Sequence, residues 1–388
     1  MIKVLYVSGS RADYGPVRNV LKAINNHAEL DVSVLVTGMH LDRLHGETWQ
    51  EIVNDGFKIA ERVPGRALGD SLTEMAASIG SYLNGMSYAI SRIQPNIILV
   101  LGDRGEQLAG SMAGVFHNIV VVHLCGGSIS GSIDDSIRHA ITKFAHYHLP
   151  ASEEHANRIV QMGEDPERVR VVGLPGNDIR SDVQFTYEQV CTKFNISIDK
   201  PYILVVQHPV TFTQNEVGQQ IKETLEAVRG LKNPILLSNP NDDAGGRMIL
   251  AKMGKYATEC SNMQVLPPLS SRELFASVMA HSGVIVGNSS AGIVEAMSLG
   301  VPVVNIGDRQ RGREHLACLI NVGYDRIEIR KAIEVALLDE KYRSRLTDFS
   351  AKMLITDTPS EVVKFLLSVD LGVSLRPKTF VDLPVVSS

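Results

Sequence analysis

Apolar runs alternate with amphipathic stretches from the first residue onward, and few patterns narrow the possible folds as far. A run too short for a helix, then a helical face, then another run is the signature of βαβ units and of a parallel sheet covered on both faces. In the first half, strands are expected at Lys3 to Val7, Val32 to Val36, Asn96 to Leu101, Ile119 to His123, Tyr147 to Pro150 and Arg168 to Val172. Helices are expected at Pro16 to Ala23, Leu72 to Ile93 and Asp134 to Phe144. The chain becomes loop-like around Gly173 to Asp178. A second alternating series starts at Tyr202, with strands expected at Ile203 to Val206, Ile235 to Leu237, Gln264 to Leu266, Gly283 to Val286 and Val301 to Asn305. After Lys331 the pattern is helical to about Leu367. The fold class is therefore α/β, and 388 residues are too many for one ordinary domain. We expect two doubly wound domains, 1–175 and 176–354, with a helix from about residue 355 crossing back onto the first.

In open parallel sheets, ligands bind outside the carboxyl ends of the strands. The polar clusters of this chain follow the expected strands: Ser8 to Asp13, Gly38-Met39-His40, Gly102-Asp103-Arg104, Gly126-Gly127-Ser128, Gln207-His208-Pro209 and Asn239 to Asp243. The stretch Val284 to Arg313 is the most informative. An apolar strand end is followed by Asn288, Ser289 and Ser290 as helix caps, and Ala291 to Leu299 carries helical spacing. Free backbone N–H groups and the positive end of the helix dipole at such a start stabilise a diphosphate without any lysine. Glu295, one to two turns on, can accept hydrogen bonds from a vicinal diol such as a ribose. A second strand then delivers Arg309, Arg311 and Arg313 to the same edge. The plainer reading is a well-capped helix and nothing more; the arginine cluster favours an anion site.

Composition removes several alternatives. A formal net charge of -5 argues against general binding to nucleic acid or to an anionic membrane, since the long-range field repels a polyanion. No apolar run approaches the ~18 residues needed to span a bilayer, and the amino-terminal MIKVLYVSG enters a strand pattern at once; a cytoplasmic protein is expected. Cys125, Cys191, Cys260 and Cys318 are scattered without C-x-x-C or zinc spacing, so neither a disulfide framework nor a structural metal is suggested.

Six motifs occur in order: Gly9-Ser10-Arg11-Ala12-Asp13-Tyr14, Gly102-Asp103-Arg104, Ile133 to Lys143 (IDDSIRHAITK), Gln207-His208-Pro209-Val210-Thr211, Gly287-Asn288-Ser289-Ser290 and Gly307-Asp308-Arg309-Gln310. In this combination the chain closely resembles the hydrolysing UDP-N-acetylglucosamine 2-epimerases, including those that supply N-acetylmannosamine for sialic acid synthesis. The resemblance runs from about Lys3 to about Leu367. It implies the GT-B architecture, two Rossmann-like domains facing across a cleft. It also implies a UDP-2-acetamido sugar as substrate, with release of UDP and the free 2-epimer through a 2-acetamidoglycal. On the family's pattern Ser289 and Ser290 fall on diphosphate-binding serines, Glu295 on a ribose-binding glutamate and Arg309 on an arginine near the phosphates. Arg11 and Arg104 fall on first-domain arginines that reach across the cleft, and Asn241 on a second-domain substrate contact. Asp103, Asp134 and His208 match the residues credited with proton transfer; read singly, they are a turn residue, a helix cap and a loop histidine. The scheme requires no cofactor and no metal. A homo-oligomer, dimer or tetramer, is expected, with no nucleic-acid or membrane partner. A GT-B glycosyltransferase, a non-hydrolysing epimerase and a silent nucleotide-sugar sensor are the alternatives.

One motif departs from the family. Members commonly read His-Ile-Glu-Gly-Gly-Glu where this chain has His123-Leu124-Cys125-Gly126-Gly127-Ser128. Two acids are replaced, and a thiol is normally neutral near pH 7, so Cys125 does not simply stand in for a carboxylate. For Cys125 two readings stay open, a small residue packed under the glycine turn and a catalytic thiol; the two replacements together can also indicate a different sugar, for example a 4-acetamido-6-deoxy relative of N-acetylglucosamine, or weak activity.

Overall fold

A computed structural model of the chain describes residues 1–67, 69–269, 271–313, 318–352 and 356–382. It holds two six-stranded, all-parallel sheets. The first contains β1 (Ile2–Ser8), β2 (Leu30–Val36), β3 (Lys58–Arg62), β4 (Ile97–Leu101), β5 (Val120–Leu124) and β6 (Tyr147–Leu149), in the order β3-β2-β1-β4-β5-β6. The second contains β7 (Ile203–Val206), β8 (Ile235–Leu237), β9 (Met263–Val265), β10 (Val284–Gly287), β11 (Val303–Ile306) and β12 (Ile320–Val322), in the order β12-β11-β10-β7-β8-β9. Counted from its own first strand, each sheet has the same order, reversing direction between its first and fourth strands. The two sheets with their flanking helices face across a cleft, which is the GT-B arrangement.

Strand β1 shows how the sequence makes this layering. Its side chains alternate by the period of two: Val4 and Tyr6 enter one buried cluster with Val17, Val20, Leu21 and Ile24, whereas Leu5 and Val7 enter the opposite cluster with Met86, Ala89 and Ile90. The helices Arg11–Asn25 and Leu72–Ile93 therefore cover opposite faces. Each such aliphatic side chain, fully removed from water, contributes about 1.5–3 kcal/mol. The Thr358–Ser368 helix packs on the Arg11–Asn25 helix and places Val362 and Leu366 in the first-sheet core. The second sheet has a single continuous core.

Three features differ from the sequence expectations. Strands β3 and β12 were not expected: they are edge strands, KIAER and INV, with burial too incomplete to leave an apolar run. Arg168 to Val172 is not a strand; it runs beside β6 with one isolated bridge, His148 to Val169. Pro166 begins a short 3-10 turn just before it, and Pro150, at the end of the neighbouring edge, has no N–H to extend a ladder. The helix of the Asp134 motif starts at Ile133 with Ser132 as its cap, so Asp134 lies inside the first turn. Of the tail from Arg376 to Ser388, residues 383–388 lie outside the described residues.

Candidate active site

The switch points of the two sheets, β1/β4 and β7/β10, open into one cavity of about 660 Å³. The ten residues given binding or proton-transfer roles from the sequence line it: Arg11, Asp103, Arg104, Asp134, His208, Asn241, Ser289, Ser290, Glu295 and Arg309. Of the other two arginines of the sequence cluster, Arg313 lines it as well, whereas Arg311 is exposed and is not part of its lining. Backbone geometry brings the second-domain wall close. Gly287 ends β10 at φ +142, and a Cβ there would lie 2.1 Å from the Val206 carbonyl oxygen on β7, so only glycine lets the two strand ends meet. The following Ser289 caps the Ser290–Leu299 helix, its Oγ accepting from the Ala291 N–H at 3.3 Å. Capping and anion binding are thus compatible readings, because the cap leaves the helix start at the cavity wall. Asn288 is fully buried and ties this turn to the β7 loop: its Oδ1 accepts from the His208 N–H at 2.7 Å and its Nδ2 donates to the His208 carbonyl at 2.8 Å.

Opposite charges cross the cleft. Arg309, 7% exposed, donates from Nη2 to Asp134 Oδ2 at 3.2 Å and from Nη1 to the Asn288 carbonyl at 3.3 Å. The Gly131 N–H of the first domain donates to the Arg309 carbonyl at 3.0 Å. Arg104 reaches from the first domain to Asp243 Oδ1 at 2.8 Å. Arg11 donates from Nε to Glu51 Oε2 at 2.8 Å, and Glu295 accepts from Arg272 Nη1 at 2.6 Å. Each cation expected to meet a diphosphate is therefore held by a carboxylate at the cavity wall.

The two aspartates from the first domain sit in unlike fields. Burial works to raise Asp103, but Arg138, Arg313 and Arg104 outweigh it and hold its carboxyl below the usual range. Arg138 is 1% exposed and donates to Asp103, to the Ser128 carbonyl at 2.9 Å and to Asp135 at 3.1 Å; Arg313 lies 3.5 Å from Asp103. Asp134 is raised, first by burial and then by the negative Asp103, with Arg309 opposing. His208 is pushed down to about 3 by burial and by Arg309, so it is neutral. Its Nδ1 accepts the Asn241 N–H at 2.9 Å, which leaves the ring proton on Nε2 and makes this nitrogen a donor. Cys125 also lines the cavity; burial and Asp103 push its thiol up to about 12, so it is a neutral group at physiological pH.

Arg138, Asp243 and Arg272 were not singled out as site residues from the sequence, and Arg313 was named there only as part of the arginine cluster, without a partner. Arg138 had a signal: it stands four residues after Asp134, on the same helical face. Among the described residues no group of three or more His, Cys, Asp or Glu side chains is arranged to hold a metal ion, and no helix is long and apolar enough to cross a membrane.

Comparison with known proteins places this geometry. A family model described as UDP-N-acetylglucosamine 2-epimerase matches residues 22–360. The UDP-N,N'-diacetylbacillosamine 2-epimerase (hydrolyzing) of Legionella pneumophila is 38% identical over 328 residues, 84% of this chain and 86% of that protein. The polysialic acid biosynthesis protein P7 of Escherichia coli is 33% identical over 387 residues, 99% of this chain and 98% of that protein. The crystal structure of UDP-GlcNAc 2-epimerase from Neisseria meningitidis bound to UDP-GlcNAc has the same fold, with a TM-score of 0.80 at 17% identity, covering 95% of this chain and 100% of that one. With the family model spanning most of its length, this chain belongs to the UDP-N-acetylglucosamine 2-epimerase family.

Proposed function

We propose that the protein is a hydrolysing 2-epimerase that converts a UDP-2-acetamido sugar and water into UDP and the free 2-epimer. The observation that carries this reading is the meeting, in one cavity, of a cross-cleft arginine set, a helix start and two aspartates held in opposite electrostatic states. The diphosphate lies against Ser289, Ser290 and the helix N-terminus, with Arg11, Arg104 and Arg309 closing on it and Glu295 accepting from the ribose. In the first step the C1–O bond breaks and its electron pair leaves with UDP. Asp134 takes the C2 proton, and the C2–H pair becomes the C1–C2 double bond of the acetamidoglycal. As C1–O cleavage leads, C1 acquires oxocarbenium character, which the ionised Asp103 stabilises. Water then adds its oxygen to C1, and C2 receives a solvent-derived proton from the opposite face, on the Asp103 side. His208 acts as a neutral Nε2–H donor to the departing phosphate rather than as a base.

The preferred sugar in this reading is a 4-acetamido-6-deoxy relative of N-acetylglucosamine. Cys125 and Ser128 supply uncharged side chains where the family has two acids, and a relative at 38% identity carries diacetylbacillosamine in its name. The product, of N-acetylmannosamine type, would feed nonulosonate synthesis, as the name of the polysialic acid relative suggests. We place the enzyme in the cytoplasm as a homo-oligomer, with domain limits of 1–175 and 176–354 and the last helix belonging to the first domain.

The test is a reaction in D2O followed by NMR. UDP and a 2-epimer bearing deuterium at C2 are expected without any acceptor, and Asp134→Asn stops both, since the amide keeps size but is no base near neutral pH. Transfer to an acceptor, UDP retained in the product, binding without turnover, or an epimer without deuterium would each sink the scheme.

A further inference from the structure

A carboxylate that takes no part in the scheme above lies between two of the arginines the reaction relies on. Asp243 follows β8 in the second domain and is 4% exposed. Its Oδ1 accepts from Arg104 Nη1 of the first domain at 2.8 Å. Its Oδ2 accepts from Asn241 Nδ2 at 2.5 Å and lies 3.8 Å from Arg309 Nη2, the same nitrogen that donates to Asp134 at 3.2 Å. Two guanidinium groups from opposite sides of the cleft are thus held near one another by a single buried anion. Without it they would repel, and Arg104 would lose its anchor on the second domain.

We propose that Asp243 is a positioning residue of the epimerase reaction: it draws Arg104 across the cleft towards Arg309 and sets a fixed negative charge beside Asp134. Resting on the function proposed above, it acts through three groups that meet the substrate. The pull on Arg104 orients a guanidinium before the diphosphate arrives, so its stabilisation of the leaving group costs no rearrangement at the moment of C1–O cleavage. The charge beside Asp134 keeps that carboxylate basic. The groups that face Asp134 are Arg309, Arg104 and Arg313, which favour its ionised form, and Asp103 and Asp243, which oppose it. Removing Asp243 removes one opposing charge, so Asp134 holds its proton less tightly.

The experiment compares wild type, Asp243→Asn and Asp243→Glu by kcat, KM, UDP affinity from calorimetry, thermal unfolding and the pH profile of kcat/KM. Wild-type release of UDP with deuterium at C2 is the control for the underlying reading, and its failure would be recognised before any variant is made. For Asp243→Asn we expect kcat to fall roughly tenfold or more, the scale of one charge-assisted hydrogen bond, with UDP affinity unchanged or tighter because a negative charge has left the diphosphate site. The acid limb of kcat/KM, which reports the base of the free enzyme, moves to lower pH. Asp243→Glu keeps the charge and so keeps the limb in its wild-type place, while kcat still falls because the anchor is displaced by a methylene. A purely structural role would instead lower UDP affinity and thermal stability together and leave the limb unmoved. That result, an Asp243→Asn protein without a thermal transition, or a limb displaced in Asp243→Glu, would overturn the proposal.

Discussion

Replacing Arg138 by Met should destabilise the first-domain unit by an amount the structure allows to be worked out. Met keeps much of the buried stem and removes the guanidinium, which donates to Asp103, the Ser128 carbonyl, Ser130 Oγ and Asp135. Asp103 would then retain Arg313 at 3.5 Å as its nearest described cation, while its carboxylate stays inside the cavity wall. Removing one partner of a buried ion pair costs about 3–5 kcal/mol. The Asp103 side chain is 19% exposed, which screens the loss and favours the lower end of that range. About 3 kcal/mol corresponds to a fall in Tm of roughly 6–12 °C for a unit of this size.

The loss depends on pH. The folded-state pKa of Asp103 is depressed, so its contribution is fully present above the ordinary carboxylate range and disappears as pH falls through the folded value. In Arg138→Met the depression is largely abolished, and the increment is missing at every pH. The difference in Tm between the two proteins is therefore largest at about pH 7 and has narrowed at about pH 2.5, below the ordinary carboxylate range. Scanning calorimetry at both pH values measures it. A difference below about 1 kcal/mol at neutral pH, or one that does not change with pH, would refute the assignment of Arg138 as the counter-ion of Asp103.

Two further outcomes test separate parts of the site. Ser289→Ala with Ser290→Ala should weaken UDP roughly tenfold in calorimetry and uridine much less, because only the diphosphate meets the helix start; equal losses would count against the phosphate assignment. Cys125→Ser should cost no more than about threefold in kcat, since a neutral thiol carries no proton in the scheme, whereas a loss of roughly a hundredfold would bring the thiol into proton transfer.

The sequence was most legible where burial leaves a repeating mark. Strand β4, IILVL, is a continuous apolar run because both faces of the sheet are covered. Strand β3 is KIAER because it lies at an edge, half in water, and its residues carry no periodic signal. Whereas Asp134, inside a helix, was found only through the family resemblance, the positions of Arg11, Asp103, Arg104, His208 and Arg309 were legible for a related reason: polar residues shortly after a buried run occupy the carboxyl edge of the sheet, where the cavity lies. Their partners were not. Asp134 and Arg138 stand four apart on one helix, and helical spacing alone would pair them. Instead Arg138 turns to Asp103 after β4, and Asp134 meets Arg309 from the other domain. Burial decides this exchange, since each charge inside the cavity wall must find its best available counter-ion and the tertiary fold supplies those from distant segments. The crossed pairing also separates the two carboxylates electrostatically. Asp103 receives Arg138, Arg313 and Arg104 and stays ionised, whereas Asp134 faces Arg309 together with two negative neighbours, Asp103 and Asp243, and holds its proton more tightly. Two aspartates of one domain thus acquire different chemistry from contacts made across 35 to 175 positions of chain.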